Sequence, residues 1–433
     1  MAHGPRFDSV WLDDPSRPSA GAPFDGDADV DVAIVGAGIT GLSTACHLRA
    51  RLPDLDVVVL EADRVGAGAS GRSSGALTVI PERRFAAKLP RDGEAETRRA
   101  IAFQAAGVET VARLVREGSI DCGFGPRGYL ILGQERHARA LQREAAAMTR
   151  LGIDGRYLEA DDVRAALDTS GFYTVGVRGP ACWMNPARYV WGLAAVARTR
   201  GAQIYERSRV RRVTPGRPTT LRLDGCHVRA RTVVLATNAS TSKLGFLRRR
   251  VWPMHTHVIS TEPLAPELLQ MIGWRHREIV FEADRGGDTF LLTPDGRLYF
   301  RGLVRYRFGD GLRPLRLDKV APVLAAEMAE RLPQLKGVPI SHCWGGVIGM
   351  TRSFRPAIGR LAGDHDVLYA AGYSGHGLAY ASLAGRLMAE LVAGDRSPEL
   401  DYALEHSLPP AMPVEPLRWA TIQLAARVRS RKG

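Results

Sequence analysis

The chain has 433 residues, of which 45% are hydrophobic and 24% charged, and a formal net charge of +13 at pH 7. This length can hold two or three domains with large buried cores, and the composition is that of an ordinary globular protein. No apolar run reaches the roughly 18 residues that a membrane helix needs, which excludes an integral membrane segment.

The basic residues and the cysteines argue against two further classes of protein: those that bind nucleic acids and those built around disulfides or metal sites. Only five of the 59 basic residues are lysines, and the arginines are scattered without a basic and aromatic stripe, so no nucleic-acid partner is predicted. The excess positive charge favours anionic partners or substrates instead. The five cysteines are widely spaced and form no CxxC pair, which argues against a disulfide framework and a metal site.

Residues 1–27 form a polar segment rich in proline, glycine and aspartate. We expect a partly extended lead-in, with Trp11 packing onto the body of the protein. The segment lacks the apolar stretch of a secretory signal, so a cytoplasmic location is the default expectation.

A glycine loop follows the first apolar run, "DVAIV" at residues 31–35. This run predicts a buried parallel strand, and Gly36, Gly38 and Gly41 follow it in GxGxxG spacing before a small-residue helix. The glycines allow a tight turn, close approach of a pyrophosphate and close helix packing. A second apolar strand ends at Glu61, whose carboxylate can accept both ribose hydroxyls and would repel a 2′-phosphate. Dinucleotide binding is predicted; the alternative is a turn packed for its own sake.

The next loop favours FAD over NAD. Residues 63–78, "DRVGAGASGRSSGALT", crowd glycines and hydroxyl side chains around one arginine. Such a loop can supply backbone N–H groups, hydroxyls and a fixed positive charge to a diphosphate or ribityl chain. A simple NAD domain has no need of it. The predicted cofactor contacts in this loop are Ala69, Ser70, Arg72, Ser74 and Gly75.

Two later segments look like a return to the nucleotide domain. Residues 205–213 are predicted to form an alternating strand, and residues 231–240 a strand that ends in small polar residues. Val210 is placed beside the adenine, and Ala236 and Thr237 near the phosphates. Two ordinary core strands are the alternative.

A second glycine turn occurs at "AAGYSGHGLAYA", near the end of the chain. Gly372, Gly375 and Gly377 would let the backbone approach the flat isoalloxazine ring of FAD, beside His376. The following helix would point its N-terminus at flavin N1, where negative charge develops on reduction. A helix cap without a ligand is the alternative.

These motifs resemble the D-amino-acid oxidase-like (DAO) FAD-dependent oxidoreductases, and within them the glycine oxidase, sarcosine oxidase and gamma-glutamylputrescine oxidase group. The resemblance runs from "DVAIVGAGITGLSTACHL" through "VGAGASGRSSG" to "WGGVIGMTRSFRPAIG" and "AAGYSGHGLAYA". It implies an α/β fold: a Rossmann-like FAD-binding domain built from discontinuous segments, and a substrate domain with a mixed or antiparallel sheet and flanking helices. The implied FAD-binding segments are 28–88, 172–243 and 341–405, the substrate domain takes 89–171 and 244–340, and a lead-in at 1–27 and a tail at 406–433 flank them.

The chain departs from the family pattern in ways that bear on chemistry. Ile348 stands where sarcosine oxidases attach flavin through a cysteine, and no histidine occurs between residues 66 and 78, so non-covalent FAD is implied. Sarcosine oxidases also place a lysine after the second glycine turn to hold the substrate carboxylate. Here Leu378 and Ala379 follow that turn, which favours an amine substrate or a carboxylate held by another group.

The resemblance implies oxidation of a C–N bond in a small amine or amino acid. A hydride passes to flavin N5, the resulting imine hydrolyses, and O2 or a quinone-type acceptor reoxidises the flavin. Two alternatives stay open: an NAD-dependent dehydrogenase that uses only the first glycine loop, and a non-catalytic flavin-binding subunit of a larger complex.

Candidate catalytic residues follow from position. His376 is the ionisable residue placed nearest the flavin. Trp344, Met350 and Thr351 lie on the strand and loop that lead into the last nucleotide-binding segment, and they could border the flavin ring. His255 alternates with His257 on one strand face and could line the substrate cavity. Arg301 and Arg305 are predicted to share a face and could bind an acidic group of the substrate, although a solvated face is the commoner arrangement. The candidate catalytic set is His376, Thr351, Met350, Trp344 and His255.

Overall fold

The architecture is that of a computed structural model, which describes residues 5–80, 84–284, 287–309, 311–312, 316–363 and 366–431. The strands in these residues, numbered in chain order, are β1 (Ala28–Val35), β2 (Val57–Leu60), β3 (Ala76–Thr78), β4 (Gly125–Pro126), β5 (Tyr129–Gly133), β6 (Arg156–Leu158), β7 (Val175–Gly179), β8 (Ala181–Trp183), β9 (Gln203–Tyr205), β10 (Arg212–Thr214), β11 (Thr219–Arg222), β12 (His227–Leu235), β13 (Trp252–Thr261), β14 (Ile279–Glu282), β15 (Thr289–Leu292), β16 (Leu298–Arg305), β17 (Ile340–Met350), β18 (Ala357–Arg360) and β19 (Val367–Ala371).

The α-helices are numbered in the same way. They are α1 (Ile39–Arg51), α2 (Phe85–Asp92), α3 (Glu94–Glu117), α4 (Ala138–Leu151), α5 (Ala160–Ala166), α6 (Pro186–Thr199), α7 (Pro266–Ile272), α8 (Leu317–Arg331), α9 (Gly377–Ala393), α10 (Pro398–Glu405) and α11 (Leu417–Arg431). Short 3₁₀ helices include Val10–Asp13, Ala69–Gly71 and Asn238–Leu244.

The first sheet has a parallel centre made of strands that lie far apart in the sequence. Its order is β10-β11-β12-β1-β2-β9, and β19 also pairs with β12 and carries β18. Strands β9, β2, β1, β12 and β19 run parallel. Their apolar residues are buried on both faces, as expected of a parallel sheet covered by helices. The carboxyl ends of these strands therefore meet at one edge, where open α/β sheets bind ligands.

Helices α1 and α9 pack closely against each other beside this sheet. The hydroxyl of Ser43 on α1 donates to the carbonyl of Ser382 on α9 at 2.7 Å. A Cβ atom at Gly385 would lie only 2.4 Å from the Ser43 side chain. This close contact fixes the starts of the two helices relative to each other, and each start follows a glycine loop.

The second sheet is mixed and mostly antiparallel, in the order β17-β13-β16-β15-β14-β5-β7-β6. Its inner face, which carries Val258 and Trp344, joins the core cluster that contains β1 and α1. Its outer face, which carries Ile259 and Cys343, packs on Leu324 of helix α8. The predicted fold class, a discontinuous Rossmann-like domain with a mixed-sheet domain, is confirmed.

The sheets differ from the sequence predictions in two places. Strand β7 and strand β17 belong to the second sheet, although the implied boundaries assign their residues to the FAD-binding segments. The predicted alternating strand at 205–213 is wrong, because β9 ends at Tyr205 and β10 begins only at Arg212. The chain turns between them at Arg207, whose φ of 53° lies in the left-handed region.

The lead-in contacts the second sheet near its start and the FAD-binding side of the protein further on. Arg6 forms a parallel bridge with His342 of β17, and the 3₁₀ helix that follows buries Trp11 to 5% exposure. Further on, the backbone N–H of Phe24 donates to Ser208 at 2.7 Å. At the other end of the chain, Ile422 of α11 packs beside Trp252 and Met412. None of the described helices is long and apolar enough to cross a membrane.

Candidate cofactor and active site

One cavity of about 530 Å³ lies at the carboxyl ends of the parallel strands. Both glycine loops line it, together with the end of β2, the start of the helical turn after β12 and the end of β17. A hydrogen bond also connects the two loop regions. The hydroxyl of Thr40, on α1 just after the first loop, lies 2.6 Å from the hydroxyl of Tyr373 in the second loop. Loops more than 300 residues apart in sequence therefore form the walls of a single site.

The first loop leaves its backbone open to the cavity. Gly36 has a φ of +105°, and a Cβ atom there would lie 2.9 Å from the carbonyl oxygen of Ala236. A Cβ atom at Gly38 would lie 2.9 Å from the hydroxyl of Ser70. Helix α1 begins directly afterwards, and the backbone N–H of Ile39 donates to that same Ser70 hydroxyl at 3.1 Å. Gly41 does not line the cavity; a Cβ atom there would lie 1.9 Å from the carbonyl oxygen of Gly36.

Glu61 is the only acidic residue among the described residues that line this cavity. Its carboxylate accepts the backbone N–H of Ala37 at 2.8 Å and that of Asp63 at 3.0 Å. Burial raises the pKa of Glu61, while these two N–H groups act in the opposite direction. The position, directly after β2 and beside the first loop, is the one predicted for the ribose contact.

The arginine loop is held by three tryptophans from distant parts of the chain. Their indole N–H groups donate to three consecutive carbonyl oxygens, which we call the tryptophan clamp. The pairs are Trp344 to Arg72 at 3.2 Å, Trp11 to Ser73 at 2.9 Å and Trp183 to Ser74 at 2.9 Å. The clamp fixes the peptide orientation of the segment whose side chains line the cavity. Gly75 follows it and packs away from the cavity, since a Cβ atom there would lie 2.0 Å from the carbonyl oxygen of Met184.

Arg72 joins the arginine loop to the second sheet. Its guanidinium donates to the carbonyl of Ala67 at 2.8 Å and to that of Gly345 in β17 at 3.1 Å. The nearest recorded carboxylate oxygen, on Asp8 of the lead-in, is 3.9 Å away. The charge of Arg72 is thus fixed in place with only a distant, exposed counter-charge.

Another part of the cavity wall comes from residues that follow β9 and β12. Val210, Ala236 and Thr237, which are predicted to contact the cofactor, all line the cavity. Asn238, which has a φ of 43°, also lines it, and its side-chain oxygen accepts the backbone N–H of Gly372 at 2.9 Å. This bond ties the end of β12 to the second glycine loop.

The second glycine loop forms a further part of the cavity wall. Gly375, with a φ of +97°, and Gly377 line it, and α9 begins at Gly377 with His376 as its N-cap residue. His376 is half-buried, its ring 6.0 Å from that of Tyr380, and it is not among the lining residues. Gly372 supports the turn from behind, because a Cβ atom there would lie 2.4 Å from the Thr351 methyl group.

The other predicted catalytic side chains also lie outside the cavity lining. Trp344 is fully buried and belongs to the clamp. Thr351 is buried and donates its hydroxyl to the carbonyl of Arg355 at 2.7 Å. Met350 packs in the cluster around Trp252. The structure therefore gives these residues contacts that shape the walls of the site, and their role in the reaction stays a prediction.

His255 lies on the sheet face opposite to the cavity. Residues alternate along β13, and Thr256 lines the cavity on the inner face. His255 and His257 therefore point to the outer face, where their rings stack with centroids 6.5 Å apart. The His255 ring nitrogen lies 2.6 Å from the carbonyl oxygen of Gly311. The expectation that His255 lines the substrate cavity is corrected by this alternation.

The prediction that Arg301 and Arg305 share a face is also wrong. Arg305 pairs with His255, and Arg301 pairs with Val258 of the inner face. A register shift between His255 and His257 adds a residue to β16. A bulge of this kind moves the following side chains to the other face of a strand. Arg301 is left half-buried on the inner face, where it donates to the hydroxyl of Thr289.

The inner face of the second sheet closes the cavity opposite the first sheet. Sequence reasoning named Ile348 only as a missing attachment point and did not single out Thr256 and Gly346. All three line the cavity. A correct prediction of how β13 pairs with β17 could have identified Thr256 and Gly346, because these two residues lie directly opposite each other.

The charge of the lining matches an anionic cofactor. Besides Glu61 the charged lining residues are all basic: Arg72, Arg209, Arg211 and Lys243. Two glycine cradles, two helix starts and this positive charge fit a long molecule with a diphosphate at its centre and a flat ring at one end. The residues present therefore fit FAD.

Comparison with known proteins agrees with this reading of the site. The sequence model of the DAO family, described as "FAD dependent oxidoreductase", matches residues 31–391. The chain belongs to this family of FAD-dependent oxidoreductases. It is 32% identical to gamma-glutamylputrescine oxidoreductase of Escherichia coli (strain K12) over 380 residues, which is 86% of this chain and 87% of that protein.

Solved structures show the same fold at lower identity. Glycine oxidase from Geobacillus kaustophilus superposes with a TM-score of 0.69 at 21% identity, covering 85% of this chain and 96% of that chain. L-Proline dehydrogenase from P. horikoshii superposes with a TM-score of 0.71 at 20% identity, covering 89% of this chain and all of that one (100%).

Proposed function

We propose that the protein oxidises a C–N bond of an amine or amino acid to an imine, which water hydrolyses. The observation that carries this proposal is the single cavity lined by both Gly38 and Gly375. When bound there, FAD supplies the hydride acceptor, N5 of its isoalloxazine ring. The chain supplies position, exclusion of water and a favourable electric field.

The ring end of the site is built to favour negative charge. Helix α9 begins at Gly377 beside the cavity, and helix N-termini present free N–H groups and a positive dipole end. Ile348 and Leu378 supply apolar walls there that keep water away. His376 stands between two glycines that line the cavity, and we propose it as the ionisable group nearest the ring.

We propose that the substrate carries an acidic group that Arg301 binds. Arg301 lies on the inner face opposite Val258, two residues along β13 from the cavity-lining Thr256. Burial lowers the pKa of Arg301, and the nearby Asp288 and Glu282 act in the opposite direction. Its side chain donates to the Thr289 hydroxyl and is not among the residues that line the cofactor cavity, so contact with a substrate requires the guanidinium to turn towards it. The curated relative acts, by its name, on gamma-glutamylputrescine, an amine with an acidic glutamyl end.

We further propose that FAD is held without a covalent bond. Ile348 lines the cavity at the position where sarcosine oxidases attach flavin, and the described lining residues include no cysteine or histidine. Acid precipitation should therefore release all of the yellow cofactor into the supernatant. A pellet that stays yellow would contradict this part of the proposal.

The function is tested by mixing the purified yellow protein anaerobically with separate amines. The panel is gamma-glutamylputrescine, putrescine, N-methylglycine, glycine and D-alanine. We expect loss of the 450 nm region flavin absorbance with at least one amine, and with gamma-glutamylputrescine at the lowest concentration. A flavin that no member bleaches would contradict the proposal and favour a non-catalytic flavin-binding subunit.

The electron acceptor is tested after the substrate is found. We propose O2 or a quinone, and hydrogen peroxide release in air separates the two. Stoichiometric peroxide identifies an oxidase, whereas slow reoxidation in air with fast reoxidation by a soluble quinone identifies a dehydrogenase. A cytoplasmic location and the lack of a nucleic-acid partner remain predictions from the sequence.

A further inference from the structure

A second cavity, of about 470 Å³, lies at one end of the second sheet. It is found where β5, β6 and β14 begin and β7 ends, and it shares no lining residue with the cofactor cavity. Its charged and titratable lining residues are Arg127, Asp154, Arg156, Arg178, His276 and Glu278. Nothing in the proposed oxidation uses this cavity.

The arginines of the second cavity are crowded together. Arg156 on β6 and Arg178 on β7 are directly opposite each other in the antiparallel pair. Like charges directly opposite each other in such a cross-strand pair destabilise a sheet. Arg156 is 3.7 Å from Asp162, which is a distant counter-charge for an exposed side chain.

Arg127 adds a third guanidinium with no carboxylate partner among the described residues. It donates to the backbone carbonyls of Arg277 and Leu292 and stacks over the ring of Trp183 at 5.0 Å. Burial, and then the neighbouring Arg277, lower the pKa of Arg127 to about 10, while Glu278 acts in the opposite direction without cancelling the shift. A nearby anion would relieve this cost.

Glu278, one of the residues that line the second cavity, carries an unsatisfied acceptor. Its side chain is only 4% exposed, and one carboxylate oxygen, Oε1, is 2.9 Å from Nη2 of Arg178. The other oxygen, Oε2, is buried with no hydrogen-bond partner in the described structure, and the same holds for Nε of Arg178. Buried polar atoms in native proteins nearly always have partners, so a donor and an acceptor are both missing here.

We propose that this cavity binds an acidic α-amino acid such as L-glutamate. Its carboxylates pair with Arg127, Arg156 and Arg178, and its ammonium group donates to Oε2 of Glu278. The charge balance fits, because three arginines against the two carboxylates of Asp154 and Glu278 leave one positive charge. A zwitterion with one extra carboxylate carries one net negative charge. An inorganic anion would satisfy the arginines and leave Glu278 without a donor.

Calorimetric titration of the yellow holoprotein tests the proposal with two probes, L-glutamate and glutarate, which differ in the ammonium group. We expect saturable binding of L-glutamate, about tenfold or more tighter than that of glutarate, as for one hydrogen bond to a buried charge. Glu278→Gln should remove this preference, and Arg178→Gln should abolish binding. Arg164→Gln, the same charge change on α5 outside the cavity, is the matched control and should leave binding unchanged.

The flavin spectrum distinguishes the two cavities. L-Glutamate bound in the second cavity should leave the anaerobic flavin absorbance unchanged at concentrations that saturate the calorimetric signal. No saturable binding, equal affinity for glutarate, or flavin bleaching at the same concentration would each overturn the proposal. If Arg178→Gln fails to fold, the exposed Arg156→Gln replaces it, with an expected weakening of about tenfold. Unchanged affinity in Arg156→Gln would also overturn it.

Discussion

At the scale of single residues, we propose that Glu61 binds the ribose at the adenosine end of FAD. Replacing it by glutamine keeps the size of the side chain and removes its charge. Hydrogen bonds to a charged group contribute about 1.5–3 kcal/mol, so FAD affinity should fall by roughly 10–100-fold. Fluorescence titration of the apoprotein with FAD measures this change. Asp63→Asn, whose side chain is exposed and outside the cavity lining, should bind FAD as the wild type does.

Arg301 is the residue on which the proposed substrate preference depends. Arg301→Gln should raise the KM for gamma-glutamylputrescine by roughly 10–100-fold, since a charge-assisted hydrogen bond is lost in both ground state and transition state. The kcat should change little. Arg305→Gln is the matched control, because its side chain lies on the outer face. Equal effects of the two substitutions, or a KM for putrescine that rises as much, would argue against an acidic-group contact.

At the scale of elements, the tryptophan clamp connects the lead-in, β8 and β17 to one loop. Trp11→Phe keeps an aromatic ring beside Tyr299 and removes the N–H that donates to Ser73. The net loss of one hydrogen bond is about 0.5–1.5 kcal/mol, so FAD should bind roughly 3–10-fold more weakly. A changed flavin midpoint potential is also expected, because the loop carries Arg72.

The control for the clamp is Trp274→Phe. The indole N–H of Trp274 is buried and has no partner in the described structure, so its removal breaks no hydrogen bond. FAD affinity and flavin potential should both stay at the wild-type values in this variant. A potential that moves equally in the two variants would mean that the clamp has no specific effect on the flavin.

Element geometry also separates what the sequence could predict from what it could not. The glycine loops were predictable because their signal is local: a strand, a GxGxxG turn and a helix within a few residues of one another. The clamp was not predictable, since Trp11, Trp183 and Trp344 meet only after three remote segments have folded together. The faces of Arg301 and Arg305 were misassigned because a single bulge in β16 reverses the alternation, and a bulge leaves no clear mark in the sequence.

At the scale of the whole molecule, a buried ion cluster makes stability depend on pH. Arg331 at the end of α8 contacts both Glu282 and Asp288, each at 3.0 Å. One guanidinium cannot neutralise two carboxylates, and burial together with Glu282 raises the pKa of Asp288 to about 7. Arg331 itself has a raised pKa, which we attribute to the pair of carboxylates taken together.

The sign of the effect follows from this raised pKa. Below the ordinary value of 3.8 Asp288 is protonated in both folded and unfolded chains. As the pH rises towards 7, only the unfolded chain ionises freely, so the free energy of unfolding falls. Asp288→Asn should remove this component, and the melting temperatures of variant and wild type should diverge between about pH 4 and pH 7 in favour of the variant. Parallel melting curves across that range would contradict the assignment.

Four strand ends, those of β1, β2, β12 and β19, supply the walls of the cofactor cavity, and β19 comes late in the chain. During translation the early glycine loop therefore leaves the ribosome long before the strand that completes its binding partner. The complete FAD site cannot form before β19 has been synthesised. We therefore expect complete FAD binding only after β19 has left the ribosome.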